Sequence, residues 1–339
     1  MIYRALILFA TAGLLLLACD DKTQETAENS QETAVEQAVE DSSLLQLNRA
    51  LARNPRDPNA YYERALYWQE KKELQSALAD LKSALLLDTN NANYFYTLGE
   101  LYFGIGAFDE ADEVLRLSTE KNPQLAKAYV KRGEFAFYQK LYNSAMKYVN
   151  DGLRQDINYA DGYFWKGMIY LEQNNPDKAI SSFQTAIEQD PTHHEAYMQL
   201  GLLFAARKDN KAHAYFTNAL RTNPQSTEAL YARAMFLQEK GYADSARQDY
   251  NQLLEINPQY ANALFNMGYL SLMEENFTEA INWFNKALDQ QPAYYEALYN
   301  RGLCYELSGQ KDKALTDFKR VLSLEPNYTL AASAIKRLN

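Results

Sequence analysis

Eight alanines, Ala77, Ala111, Ala145, Ala179, Ala212, Ala246, Ala280 and Ala314, recur along the chain at steps of 34 residues, with one step of 33. A fixed period of this length means that one supersecondary unit is copied in tandem, and such copies stack into an open solenoid in which each unit packs only on its neighbours. A second ladder keeps register with the first: Ala65, Gly99, Gly133, Gly167, Gly201, Ala234, Gly268 and Gly302. Both ladders hold only Gly or Ala. Two small residues at fixed points let two helices approach closely, because the side chains at a crossing set the interaxial distance. Each copy therefore reads as helix, turn, helix.

A third ladder, Pro123, Pro191, Pro224, Pro258, Pro292 and Pro326, with Thr89 and Ile157 in the gaps, ends each second helix. Proline has no N–H to donate and turns the preceding residue away from helical angles. Between these marks the apolar residues keep the helical period, as in Tyr163, Gly167, Tyr170 and in Ala179, Phe183, Ala186. Strand-like alternation is absent. The fold class read from the sequence is all-α.

These residues resemble the tetratricopeptide repeat, whose pattern has an aromatic at position 4, Leu at 7, Gly at 8, Tyr at 11, Ala at 20, an aromatic at 24, Ala at 27 and Pro at 32. Eight full copies begin at Pro58, Ala92, Ala126, Ala160, His194, Thr227, Ala261 and Tyr295 and fill residues 58–328. The resemblance implies a right-handed α-solenoid. Departures are local: position 11 is Ala136 and Ser271 in two copies, and position 27 is Leu253 and Val321 in two others. The fifth copy lacks one residue near Arg207 to Lys211, where a tighter turn is expected. Residues 43–56 read as an orphan second helix covering the first copy. Residues 329–339 read as a capping helix, with Lys336 and Arg337 where cations suit the helix dipole.

Residues 1–18 read as a signal segment: Arg4 gives a positive start, Ala5 to Leu17 is apolar, and the run is too short for an ordinary membrane span. Leu16, Leu17, Ala18 and Cys19 resemble a bacterial lipobox, which implies cleavage before Cys19 and acylation of that cysteine. More than one acyl chain anchors stably, at about 0.8 kcal/mol per buried methylene. A plain secretory signal with an incidental cysteine is the other reading. Residues 19–42 follow with eight acids against Lys22 and no aromatic residue, a composition that reads as a disordered acidic tether with a reach of roughly 25–30 Å. The expected location is the cell envelope, lipid-anchored to a bacterial membrane. The outer membrane is favoured, facing the periplasm or the surface; Asp20 and Asp21 fit inner-membrane retention in some lineages and surface export in others.

The formal charge is -10, which disfavours nucleic acid, because phosphate binding needs clustered Lys and Arg. Cys304 reads as a core thiol. The pair His193 and His194 has no further metal ligands in its vicinity in the sequence, and no phosphate loop, nucleophile elbow or metalloprotease helix occurs. Gly104 and Gly106 read as turn residues. No cofactor, no metal and no enzymatic activity are expected.

In the family that these residues resemble, positions 2, 5, 9, 12 and 13 of the first helix line the groove. On that basis the expected partner-binding residues are Tyr62, Tyr96, Phe103, Phe137, Phe164, Met168, Met198, Tyr231, Met235, Phe265, Tyr269 and Tyr299. The bland alternative is that these rings are outer core, since aromatics at helical spacing are usually structural. The rim is acidic, with Asp161, Glu195, Glu228 and Glu296 at position 2 and Glu70, Glu172 and Glu239 at position 13; Lys127 and Lys131 are the exceptions. The Lys and Asn of a carboxylate clamp are missing, so acidic C-terminal peptides are disfavoured. The expected function is a membrane-anchored, non-catalytic adaptor that takes an apolar, basic segment of an envelope protein. The alternative is a glycan or peptidoglycan receptor that stacks sugars on the aromatic wall.

Overall fold

The computed structural model describes residues 42–339, and the lipobox and most of the acidic segment lie outside the described residues. Among the described residues the structure is all helical. Helix α1 covers 42–53. The eight copies then supply α2 (Pro58–Glu70), α3 (Leu74–Leu87), α4 (Ala92–Gly104), α5 (Phe108–Lys121), α6 (Ala126–Tyr138), α7 (Tyr142–Gln155), α8 (Ala160–Glu172), α9 (Pro176–Gln189), α10 (His194–Ala206), α11 (Lys211–Thr222), α12 (Thr227–Glu239), α13 (Ala243–Ile256), α14 (Ala261–Met273), α15 (Phe277–Gln290), α16 (Tyr295–Leu307) and α17 (Lys311–Leu324), and α18 (Thr329–Leu338) follows. Every first helix begins at the residue that the repeat pattern assigns to position 1. The chain forms two compact units that divide between Ile105 and Gly106, so α1 to α4 belong to the first and α5 to α18 to the second.

The ladders have direct packing causes. All eight ladder alanines are fully buried. In the fifth copy a Cβ on Gly201 would stand 2.4 Å from Phe216 Cε1, so the aromatic at position 24 occupies the volume that any larger residue would need. Where position 8 is Ala234, the position-24 ring is Tyr250, also fully buried, whose hydroxyl donates to Gln238 Oε1 at 3.0 Å.

In seven of the eight copies the turn between first and second helix is closed in one way. The amide of position 16 donates to the carbonyl five residues back, as in Leu141 to Ala136 at 2.8 Å and Tyr242 to Leu237 at 2.9 Å. Position 15 has positive φ in every copy: Lys72, Gly106, Lys140, Asn174, Lys208, Gly241, Glu275 and Gly309. The loop to the next copy is set by an Asx turn one residue before the proline position, with Asp88, Asn122, Asp156, Asp190, Asn223 and Asn257 each accepting from the amide two residues on.

The shortened fifth copy differs from the expected tighter turn. Its closure is intact, with Asp209 N donating to Phe204 O at 2.9 Å, and four residues separate α10 from α11 where the other copies have three. The missing residue is taken from the second helix: α11 has 12 residues and the other second helices have 14. The turn is fixed by hydrogen bonds at the end of α10, while the free start of α11 can lose residues and still seat Ala212, which is fully buried.

In the second unit the two helices of a copy pack together, as α6 with α7 or α14 with α15, and each second helix packs on the next first helix. First helices also touch first helices, in α6 with α8, α10 with α12 and α14 with α16. Closer approach of the first helices makes them the inner layer of this unit. Helix α18 buries Ala331 and Ala334 and covers the last copy. Its Arg337 lies in the last turn as expected but is committed to Glu306 of α16, through Nε to Oε1 at 2.6 Å and Nη2 to Oε2 at 2.8 Å.

Candidate interaction face

Of the twelve expected binding residues, Tyr62, Tyr96 and Phe103 lie in the first unit and the other nine in the second. The position-5 rings are wedges between helices. Phe265 has its centroid 5.7 Å from Phe284 of its own copy and 5.0 Å from Tyr294, the residue that leads into the next copy. The same sandwich holds Tyr231 between Tyr250 and Tyr260, Tyr299 between Phe318 and Tyr328, and Phe164 between Phe183 and His193. Tyrosine hydroxyls at this position reach forward to position 6 of the next copy: Tyr62 meets Thr97 Oγ1 at 3.1 Å and Tyr231 meets Asn266 Nδ2 at 3.3 Å. Tyr96 Oη donates to Glu100 Oε1 at 2.9 Å within α4. These rings are half-buried and spend much of their surface on the stack. Met198 at the same position is core, at 3 % exposure.

The apolar groups that face solvent on the inner layer lie at positions 9 and 13. Met235 is 40 % exposed, Tyr138 50 %, Leu307 54 % and Met273 64 %. Phe103, Phe137, Met168 and Tyr269 are half-buried; Phe137 is in edge contact with Tyr142 and tilted against Trp165. Leu307 was not singled out from the sequence, although its position 13 is the signal that would have found it.

The charged groups fall into cross-helix or local pairs and a row of first-turn carboxylates. Lys131 pairs with Glu134 at 2.8 Å, Glu172 accepts from Tyr142 Oη at 2.9 Å, and Glu239 pairs with Lys208 at 3.1 Å. Asp161, Glu195, Glu228 and Glu296 stand in the first turns of α8, α10, α12 and α16, where the positive end of each helix dipole favours a carboxylate. That placement accounts for the acidic row without any ligand.

Both adjacent histidines are engaged. His194 Nδ1 lies 3.0 Å from Ala219 O, and its Nε2 lies 3.2 Å from Ser226 Oγ. His193 is buried beside Phe164, with Nδ1 at 3.2 Å from Glu195 Oε2 and Nε2 at 3.4 Å from Asp161 Oδ1. Burial lowers its pKa, but the hydrogen bonds and charges of the two carboxylates outweigh burial and raise it to about 9. Nδ1 also lies 3.3 Å from the amide of Ala196. The neutral ring can cap α10 by accepting there; the imidazolium gives up that cap and donates to Glu195. Cys304 is fully buried, and desolvation pushes its thiol up to about 12. Among the described residues no group of three or more His, Cys, Asp or Glu is placed to hold a metal ion, and no helix is long and apolar enough to cross a membrane.

A set of ion pairs that sequence reasoning missed ties the second helices to the first. In three copies position 7 is Arg and position 23 is Asp, joined in bidentate fashion: Arg64 with Asp80, Arg233 with Asp249 and Arg301 with Asp317, all through contacts of 2.7–2.8 Å. Each Arg also reaches the preceding second helix, at Asn48, Thr217 and Asn285. The recurring Arg-x15-Asp spacing was the available signal. In the seventh copy these positions are Met267, which is buried, and Trp283, which with Leu254 and Leu264 lines a groove of about 490 Å³ and has Lys286 Nζ 4.2 Å from its indole centroid.

Comparison with known proteins agrees with this geometry. Residues 134–335 match the family model described as tetratricopeptide repeat protein 21 N-terminal ARM repeat, and residues 41–93 match the tetratricopeptide repeat model. Human tetratricopeptide repeat protein 6 is 26% identical over 223 residues, covering 62% of this chain and 42% of that protein, so the chain spans under half of that relative's length. The C-terminal part of a TPR repeat-containing protein from Cytophaga hutchinsonii aligns with a TM-score of 0.59 at 17% identity, over 71% of this chain and 99% of that one. PilF of Pseudomonas aeruginosa aligns at 0.53 and 19%, over 60% and 95%. The chain belongs to the tetratricopeptide repeat family, whose members are helical scaffolds that bind protein partners.

Proposed function

We propose that this chain is a non-catalytic adaptor, tethered to a bacterial membrane through acyl chains on Cys19, whose second unit receives a segment of an envelope protein on its inner layer. The observation that carries the reading is the exposure of Met235, Met273, Leu307 and Tyr138 on that layer, beside a row of first-turn carboxylates. An apolar surface bordered by charge gains free energy by meeting an apolar, basic segment. Met235, Met273 and Leu307 lie on three successive first helices, as a groove-bound segment would require. The position-5 rings support a sugar-binding reading poorly. A pyranose needs an open ring face, and Phe265, Tyr231 and Tyr299 each lie between two other rings.

A photo-crosslinker at position 235 or 273 in intact cells is expected to give one discrete adduct, absent when the probe stands at Ile256, an exposed residue on the second helix α13 of the same unit. Identical adducts from all three positions, or none from the inner pair, refute the groove. The anchor is tested apart: radiolabelled palmitate is expected in the native chain and not in Cys19→Ala. Label in both, or in neither, refutes the anchor and with it the outer-membrane location.

A further inference from the structure

Two carboxylates from successive copies converge on one imidazole at the inner edge of the second unit. Asp161 stands in the first turn of α8, Glu195 in the first turn of α10, and His193 lies between them in the loop that joins their copies. The side chain of His193 is 6 % exposed, while those of Asp161 and Glu195 are 53 % and 65 % exposed. Each carboxylate therefore turns part of itself to the imidazole and the rest to solvent. Nε2 of His193 is fully buried, makes no hydrogen bond of good geometry, and is aimed at Asp161. The helix dipoles explain why acids stand here. They do not explain a nine-tenths buried ring whose Nε2 meets a carboxylate only at 3.4 Å, beneath a pair of open carboxylates.

The surroundings fix the local charge. Tyr159 Oη donates to Asp161 Oδ2 at 2.9 Å, Lys131 of α6 acts on Asp161 from a distance, Asp190 of the same loop acts on His193, and His194 acts on Glu195. Two carboxylates and one imidazolium leave one net negative charge at the cluster; with the ring neutral they leave two. Both carboxylate side chains stay more than half exposed.

We propose that Asp161 and Glu195, oriented by His193, form a receptor for one guanidinium or ammonium group of the segment bound on the inner layer, and that this cation competes with the His193 proton. The proposal rests on the adaptor reading and adds the chemistry of one anchor point. Two carboxylates on neighbouring copies offer charge-assisted acceptors of the kind that a guanidinium satisfies with several donors at once. Linkage makes the competition reciprocal: a bound cation lowers the proton affinity of His193, and loss of that proton strengthens the cation's binding.

The probe is a synthetic amphipathic peptide of leucine and arginine, with a second peptide carrying citrulline, the neutral isostere, for each arginine. Isothermal titration with the full chain is expected to show the arginine peptide bound about tenfold more tightly than its citrulline partner, a difference of about 1.4 kcal/mol. The preference is expected to grow from pH 7 to pH 10, with proton release detected by comparing buffers of different ionisation heat. Asp161→Asn with Glu195→Gln is expected to erase the preference, and His193→Gln to keep it but flatten its pH dependence. Glu195→Gln alone, at a mostly exposed site, is the second variant should the double one fold poorly. Equal binding of the two peptides, no binding by either, or a preference that survives the substitutions overturns the receptor. An inner-layer crosslink in cells together with any of those results leaves the adaptor reading standing and this anchor refuted.

Discussion

A residue at position 15 of each copy adopts left-handed backbone at the turn between the two helices, whatever side chain it carries. Gly106, Gly241 and Gly309 meet the demand without strain; Lys72, Lys140, Lys208 and Glu275 do not. A β-carbon in that region costs roughly 1–2 kcal/mol, offset in part by the greater unfolded-state entropy of glycine. Lys140→Gly is therefore expected to stabilise the chain by about 0.5–1 kcal/mol, read as a higher urea midpoint. An unchanged or lower midpoint would show that Lys140 gains something from its side chain. His193 titrates in the opposite sense to a buried neutral histidine. Because its folded pKa is raised from 6.5 to about 9, its contribution to stability is fully present below about pH 6.5 and is lost as pH rises through 9. Imidazole proton shifts in an NMR titration should place its midpoint well above that of an ordinary histidine, and Asp161→Asn should lower it. A midpoint near 6.5 in the native chain would contradict the triad.

At the scale of a helix pair, the Arg–Asp ties replace an apolar contact with a charged one. Asp249 is 5 % exposed and holds Arg233 in two hydrogen bonds, so Asp249→Ala leaves a largely buried guanidinium short of its partner. The expected cost is about 2 kcal/mol by chemical denaturation. Replacing both residues, Arg233→Leu with Asp249→Leu, is expected to recover most of that loss, because a well-packed apolar pair often matches a buried ion pair. The chain holds its own precedent in the seventh copy, where Met267 and Trp283 stand at these positions. A double variant less stable than Asp249→Ala would show that the reach of Arg233 to Thr217 matters more than the pair. Helix starts were legible for a related reason: Gly, Ala and Pro at fixed positions answer to crossings and breaks that have few other solutions. The Arg-x15-Asp spacing was equally visible in Arg64, Arg233 and Arg301, but position 7 is expected to be apolar in this family, and a charged residue there gained meaning only when its partner appeared across the hairpin.

At the scale of the molecule, stability in a repeat array is a sum of copy and neighbour terms, so the ends matter more than in a globule. Deleting residues 329–339 uncovers the face on which Ala331 and Ala334 are buried and removes the Arg337 pair with Glu306. The thermal midpoint should fall, and amide exchange should accelerate in α16 and α17 before it does in α8 to α11; uniform acceleration would mean that the array unfolds as one block. The sequence by itself determined the helical hairpins, their number and their boundaries, because the 34-residue period repeats each local constraint eight times. It did not determine which inner-layer side chains are free. Phe164, Tyr231, Phe265 and Tyr299 share one position with buried Met198, and their exposure depends on His193, Tyr260, Tyr294 and Tyr328, rings contributed by the loop to the next copy. Only the stacking of one copy on the next decides whether such a ring is surface or wedge: its partner stands 29 residues on in all four cases, a regular spacing that acquires a packing meaning only when the loop lays the next copy against the ring.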